Sequence, residues 1–190
     1  RKRAGSKSAA DSALAAEPRR KYSTTGSCPS SARDLSMKPV GRVVSVATAS
    51  PSIPFEFNFS QNELRIDNRT YPEGTRGEIV ENRAVSAGYF DTLGVRVIDG
   101  RDIAEIDRPG GPRVAVVNAT MARWYWPNES AVGHTFTVPS TGTSYQVVGV
   151  VADHKHHGVL EALAPLVHFA SAQQPTRYNT LLVRTAGDAG

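Results

Sequence analysis

Between Val85 and Val117 the sequence reads VSAGYFDTLGVRVIDGRDIAEIDRPGGPRVAVV, and this stretch constrains the fold more than any other. Ser86 stands where it can cap a helix over Ala87–Leu93. Tyr89, Phe90 and Leu93 form that helix's apolar face, and Gly94 falls where a left-handed residue closes it. Val95–Arg96–Val97–Ile98 is extended and stops at Asp99–Gly100, and Arg101 and Asp102 continue the turn. A charged loop broken by Pro109–Gly110–Gly111–Pro112 follows. Val114–Ala115–Val116–Val117 is then a continuous apolar run of strand length, which suits a central strand covered on both faces.

The flanking segments supply the rest of a sheet. Arg42–Ser50 (RVVSVATAS) is β-branched and bounded by Pro39–Val40–Gly41 and Pro51, so a strand is expected there. Phe55, Phe57 and Phe59 alternate with polar residues, and Glu63–Asp67 repeats the period of two. Ile79–Val85 is another extended run. Asn118 is placed to cap a second helix, Ala119–Trp126, which Pro127 stops. Val132–Val138 and Tyr145–Val151 form a hairpin through Pro139–Ser140–Thr141–Gly142. Leu166–Phe169 and Thr180–Arg184 complete the strands. Many strands, two short helices and hairpin connections predict an α+β fold with mixed or antiparallel sheets.

Charge divides the chain in two. Residues 1–38 carry nine Lys/Arg and three Asp/Glu, a net of +6, while residues 39–190 carry thirteen and fifteen, a net of −2; the two sum to the whole chain's +4. The basic character therefore belongs to an N-terminal segment rich in Ser and Ala, expected to be a disordered or irregular tail. The remainder, 39–190, is near neutral and lacks the basic, aromatic-studded face of a nucleic-acid binder, so no nucleic acid is expected as a partner. Cys28 is the single cysteine, so no intrachain disulfide forms and cysteine does not fix the compartment. No run approaches the roughly 18–20 apolar residues that cross a bilayer, so the chain as written is expected to be soluble.

Several clusters carry chemistry-bearing residue types, and each has a plainer role. Asp153–His154–Lys155–His156–His157, with His134 or His168 as distant partners, has the residue types of a zinc site and of a metal-dependent hydrolase. Adjacent loop residues diverge, however, and Lys155 repels a cation, so a solvated loop is the better reading and no metal or cofactor is expected. Asp99, Arg101, Asp102, Glu105 and Asp107 contain the carboxylates of an acid–base pair, but turn chemistry and ion pairs of Arg101 account for them. Neither a Gly-x-Ser-x-Gly elbow nor a phosphate loop occurs, and no catalytic residue is assigned. Trp124 and Trp126 on the second helix cannot both face inward, so an exposed ring there is a candidate contact for a partner.

The ordered set Val85-Ser-Ala-Gly-Tyr-Phe-Asp-Thr-Leu-Gly-Val, Asp99-Gly-Arg-Asp, Arg113-Val-Ala-Val-Val-Asn, Met121-Ala-Arg-Trp-Tyr-Trp-Pro-Asn, Val132-Gly, Tyr145–Asp153 and Leu182-Val-Arg-Thr-Ala-Gly-Asp resembles the periplasmic core domain of MacB/FtsX-type ABC transporter permeases. The resemblance covers roughly Val43 to Asp188. Residues 1–38 do not match, and Met37-Lys-Pro-Val-Gly-Arg replaces the family's Pro-Gly-Val turn. The resemblance implies a non-catalytic domain on the periplasmic face of the cytoplasmic membrane. It would have a porter-like part and a smaller inserted subdomain at approximately 102–151. The domain would relay conformational change for export or mechanotransmission. The implied partners are the permease's transmembrane part, absent from this chain, an ABC ATPase acting indirectly, and a second copy in a homodimer. A free-standing binding module derived from such a domain is the alternative. In this setting Tyr89, Phe90, Gly94, Gly100, Arg101 and Asp102 are expected to form the hinge between subdomains.

Overall fold

The computed structural model describes residues 42–50, 60–155, 160–174 and 179–186, all within one unit, Lys38–Gly190. They form β1 (Arg42–Ser50), β2 (Ser60–Ile66), β3 (Glu78–Val85), α1 (Tyr89–Leu93), β4 (Val97–Gly100), β5 (Val114–Asn118), α2 (Ala119–Tyr125), β6 (Thr135–Val138), β7 (Thr143–Val151), β8 (Leu166–Ala170) and β9 (Thr180–Ala186). The basic segment 1–38 with Cys28, the Phe55–Phe57–Phe59 alternation and His156–His157 lie outside the described residues.

The strand pairings close on themselves. β2 pairs with β6, β6 with β7, β7 with β5, β5 with β8, β8 with β3, and β3 again with β2, which makes a six-stranded ring. The β5–β7 and β3–β8 pairs are parallel and the others antiparallel. Every ring strand sends alternate side chains inward, as the pleat requires. Leu64, Ile66, Val80, Ala115, Val117, Phe136, Val138, Tyr145, Val147, Val167 and Phe169 meet there, and Met121, Tyr125 and Trp126 of the α2 region join them. The rings of Tyr145 and Phe169 are 4.6 Å apart at their centroids.

A second core follows from β5, whose five residues are all buried. Ala115 and Val117 face the ring interior. Val114 and Val116 face the other way and pack with Ala47, Ala49, Val85, Tyr89, Phe90, Ile103, Val151 and Ala170. Each valine taken wholly out of water contributes about 1.5–3 kcal/mol, so a strand apolar on both faces is stabilised by a layer on each side.

β1 and β9 lie outside the ring. They pair antiparallel from Arg42↔Ala186 to Ala49↔Thr180, while β1 meets ring strand β3 only at Ala49↔Val85 and Ser50↔Ala84. The inner face of this ribbon presents Ala47, Ala49 and Leu182 to the second core. Its outer face carries Val44, Val46, Leu181 and Val183, which are 48 to 63 % exposed.

The structure moves two local assignments. α1 starts at Tyr89 behind Gly88 in the left-handed conformation (φ 77°), with no side-chain cap. Ser86 is used elsewhere: its Oγ accepts the Thr48 N–H at 2.9 Å and ties β1 to the turn. Gly94 does close α1, at φ 71°. Asn118 caps α2 by accepting the Met121 N–H at 2.9 Å, and the same Oδ1 accepts the Leu166 N–H at 3.0 Å, which fixes the start of β8. Residues 102–151, expected as an inserted subdomain, supply α2 and β5–β7, half of the ring's strands.

Candidate functional site

The corner that joins β4 to the ring is built on close backbone approach. Gly100 adopts φ 67°, and a Cβ there would overlap the Val148 carbonyl and the Val132 side chain. Its partner across the strands is Gly149, where a Cβ would overlap the Arg101 carbonyl. Two glycines thus let the chain cross β7 closely enough for Arg101 N–H to reach the Val148 carbonyl at 2.9 Å. Gly149 sits unmarked inside YQVVGVV, and its role becomes visible only once Gly100 lies opposite it.

Arg101 then clamps the loop that follows. Its two terminal nitrogens donate to Asp107 Oδ2 and Oδ1, each at 2.8 Å, and Asp107 Oδ2 also accepts the Ala104 N–H at 2.9 Å. The Arg101 guanidinium holds the Asp107 carboxyl below the ordinary value, with the Ala104 N–H assisting against burial. Asp102 shifts the opposite way. Burial raises it, the nearby Asp91 and Asp107 charges add to the rise, and the Ile103 N–H and Arg101 only partly offset it. Its Oδ1 accepts the Ile103 N–H at 2.5 Å. The carboxylates here close a turn around Ile103, which is buried in the second core. Asp99 joins the same corner, accepting its neighbour Gly100 N–H at 2.8 Å and the Ser130 hydroxyl at 2.6 Å.

Tyr89 and Phe90 are both fully buried and lie edge to face at 5.3 Å. α1 carries them beneath the ribbon, and Arg184 of β9 donates to the Asp91 carbonyl at 3.1 Å. Phe90 meets the buried His168 ring at 4.8 Å, and His154 stacks on His168 at 5.6 Å. Burial lowers the His154 pKa, and the positive charge of Arg83 lowers it further against the Ala152 carbonyl, Asp153 and Glu161. The neutral imidazole therefore prevails near neutral pH.

Of the residues with metal-site chemistry, His154 and His168 come together in that stack, whereas Asp153 and His134 are engaged elsewhere. Asp153 serves α2: it accepts the Thr120 N–H at 2.8 Å and the Thr120 hydroxyl at 3.0 Å, and pairs with Arg123 at 3.0 Å. His134 stands over Trp126 at 5.6 Å and contacts Asp67 at 3.3 Å. Among the described residues no group of three His, Cys, Asp or Glu is arranged to hold a metal ion.

The two tryptophans divide sharply. Trp124 is 58 % exposed and remains a surface candidate, whereas Trp126 is 1 % exposed and is no partner contact. The helix ends at Tyr125, and Trp126 leaves helical geometry (φ −131°, ψ 62°). Its ring thereby turns into the core, and its indole N–H points to Asp67 at 3.4 Å. The turn after β2 receives this end of the helix. Asn68 donates to the Tyr125 carbonyl and Arg69 to the Trp124 carbonyl, each at 3.0 Å, and the Arg69 guanidinium lies 4.8 Å from the Tyr125 ring centroid. Burial and the Glu78 charge push the Tyr125 hydroxyl up to about 12. The sequence marked Asn68–Arg69 only as a turn, because nothing local links it to a helix more than fifty residues away.

The model of one protein family, the MacB-like periplasmic core domain, matches residues 6–189. The match begins well upstream of Val43 and takes in most of the basic segment, which the resemblance read from the sequence had excluded. That segment carries none of the motif blocks on which the resemblance rests. The periplasmic region of MacB from Actinobacillus actinomycetemcomitans superposes with a TM-score of 0.54 at 17 % identity, over 82 % of this chain and 63 % of that one. This chain thus spans under two thirds of the length of that region. The extracellular domain of the noncanonic ABC-type transporter YknZ from Gram-positive bacteria gives 0.49 at 18 % identity, over 80 % and 70 %. No curated protein matches the chain. The MacB likeness agrees with the α+β reading of a mixed sheet with two short helices.

Proposed function

This chain belongs to the family of MacB-like periplasmic core domains, and on that premise we propose that it works as the moving periplasmic part of an ABC-type permease. It relays conformational change and catalyses no reaction. Its partners are the permease's transmembrane part and, through it, an ABC ATPase. It needs no cofactor and no nucleic acid. Among the described residues no helix is long and apolar enough to cross a membrane, so the membrane contacts of such a permease fall to other segments.

The observation that supports the relay is the attachment of the ribbon. Arg42 lies opposite Ala186, so the described chain arrives and departs side by side, as a domain held between two membrane segments requires. The ribbon joins ring strand β3 by two residue pairs only. Its other support is α1, bracketed by left-handed Gly88 and Gly94, with Tyr89 and Phe90 beneath. Displacement of the ribbon therefore reaches the ring through α1 and the second core. In this reading Tyr89, Phe90 and Gly94 form one side of a hinge, and Gly100, Arg101 and Asp102 hold the other. Trp124 stands free on the ring's flank for a protein partner.

The test places spin labels at Val44→Cys on the ribbon and Ser140→Cys on the β6–β7 turn, in a Cys28→Ser background. The sample is the complete membrane-embedded permease with its ATPase. A relay gives a distance distribution that shifts by several ångströms between the nucleotide-free and ATP-bound states. Identical distributions overturn it.

A further inference from the structure

At the end of the ring where β5 and β7 begin and β6 and β8 finish lies a cavity of about 390 Å³, room enough for a small molecule. Asn62 of β2, Arg113 at the head of β5, Ser140 of the β6–β7 turn, Thr143 and Tyr145 of β7, and Gln174 beyond β8 line it. Among the described residues its lining holds one cation, Arg113, and no carboxylate.

Arg113 is set in place by its neighbours. Its carbonyl accepts the Gln146 N–H at 2.9 Å, and its Nη1 donates to the Gln173 carbonyl. Gln173 is buried and is itself fixed: its Oε1 accepts the Val114 N–H at 3.1 Å, and its Nε2 donates to the Pro112 carbonyl at 2.7 Å. Nε and Nη2 of Arg113 are left without a hydrogen bond or ion pair among the described residues. These two nitrogens form a side edge of the guanidinium, and such an edge meets a carboxylate with two parallel bonds. Tyr145 has its ring in the core, and its hydroxyl accepts the Gln174 Nε2 at 2.5 Å. The phenolic proton is thereby left for a further acceptor. The Asn62 amide and the Ser140 hydroxyl also make no hydrogen bond among the described residues.

We propose that this cavity binds a small organic carboxylate, gripped by the Nε–Nη2 edge of Arg113 with the Tyr145 hydroxyl as a further donor. A lone guanidinium balances one negative charge, which matches a carboxylate and falls short of a phosphate group near −2. Asn62, Ser140 and Thr143 offer an amide and two hydroxyls to the rest of the ligand, so its body carries hydroxyl or amide groups. Ser140 is exposed at the rim, water competes for the anion, and a Kd of about 1 mM is expected. The site stands on this chain's own side chains and does not depend on the permease reading, so the spin-label experiment and the titration below can fail separately.

The test titrates the full, isotope-labelled chain with N-acetylglycine at constant ionic strength, read by NMR at the Arg113 Nε–H and at the Asn62 and Gln174 side-chain amides. Saturable shifts at these three groups are expected, with N-acetylglycinamide, the neutral twin, binding at least about ten-fold more weakly. Arg113→Gln should remove the binding. Ser140→Glu keeps Arg113, lies on an exposed turn and should weaken binding about five-fold by placing a like charge beside the anion; it decides the matter even if Arg113→Gln does not fold. Equal binding of the amide means that no anion is recognised. Tighter binding of inorganic phosphate means a site for a more highly charged group. Binding of N-acetyl-alanyl-alanyl-glycine about ten-fold tighter than N-acetylglycine means that a polypeptide end is the ligand. Unchanged affinity in Ser140→Glu means that the anion sits elsewhere. Each of these four results overturns the proposal.

Discussion

The ring and the ribbon are made of similar residues and are held in opposite ways. In the ring every strand has two strand neighbours, and its inward side chains are buried. In the ribbon two strands share one ladder, half of the side chains stand in water, and two residue pairs join it to the ring. Valine and leucine serve both regions, so composition does not separate them. The difference comes from closure. A closed set of strands has no edge to satisfy, and its stability is pooled; an appended ribbon depends on what it leans against.

The comparison breaks most readily inside the ring. Phe169→Ala removes the ring that lies 4.6 Å from Tyr145 and also faces Phe136. It should cost about 3–5 kcal/mol in urea unfolding. A cost below about 1 kcal/mol would mean that the ring is no more cooperative than a surface strand.

The corner that joins β4 to the ring comes next. Arg101→Ala strands the Asp107 carboxylate, whose side chain is 5 % exposed. A loss of about 1–3 kcal/mol at neutral pH is expected. Because the folded Asp107 pKa lies below the ordinary 3.8, the pair's contribution is complete above that value. It is lost as pH falls through the folded pKa. The gap between parent and variant should therefore close in acid below about pH 4, measured by chemical unfolding across pH. A gap that persists there would assign the role to Arg101's packing and not to its charge.

The smallest effect belongs to the ribbon's outer face. Leu181→Thr alters a side chain 63 % exposed and should change monomer stability by no more than about 0.5 kcal/mol. A larger loss at low chain concentration would show that this face is covered within one copy.

Much of this layout was legible from local patterns. β1 occupies the span that its β-branched run and bounding prolines indicated. Asn118 and Gly94 do what their positions at helix ends suggest, because caps are decided by the nearest few residues. What local reading missed is what distant segments decide. The parallel β3–β8 ladder and the β2–β3 and β2–β6 closures join segments with no mark of each other in sequence. Ser86 had the chemistry of a cap, but the Thr48 N–H, far upstream, claims its hydroxyl. Asp153 looked like part of a histidine loop and instead holds the first turn of α2. Trp126 looked like surface because the helix was extended one residue too far. For the corner site, the acidic cluster around Arg101 suggested ion pairing, but the choice of Asp107 depends on a loop folding back over Ile103.

The adjacency of Arg42 and Ala186 has a mechanical consequence. In an antiparallel ladder whose loaded ends lie at the same extremity, a force that separates them acts on one pair of bonds at a time and unzips the ladder cheaply. A force that pushes both ends the same way sets no shear between the strands, and the two act as one strut. A ribbon so mounted is weak to divergence and stiff to thrust. If the domain relays motion as proposed, the displacement such a ribbon passes inward is the common motion of its two ends, and a change in their spacing is absorbed at the tip.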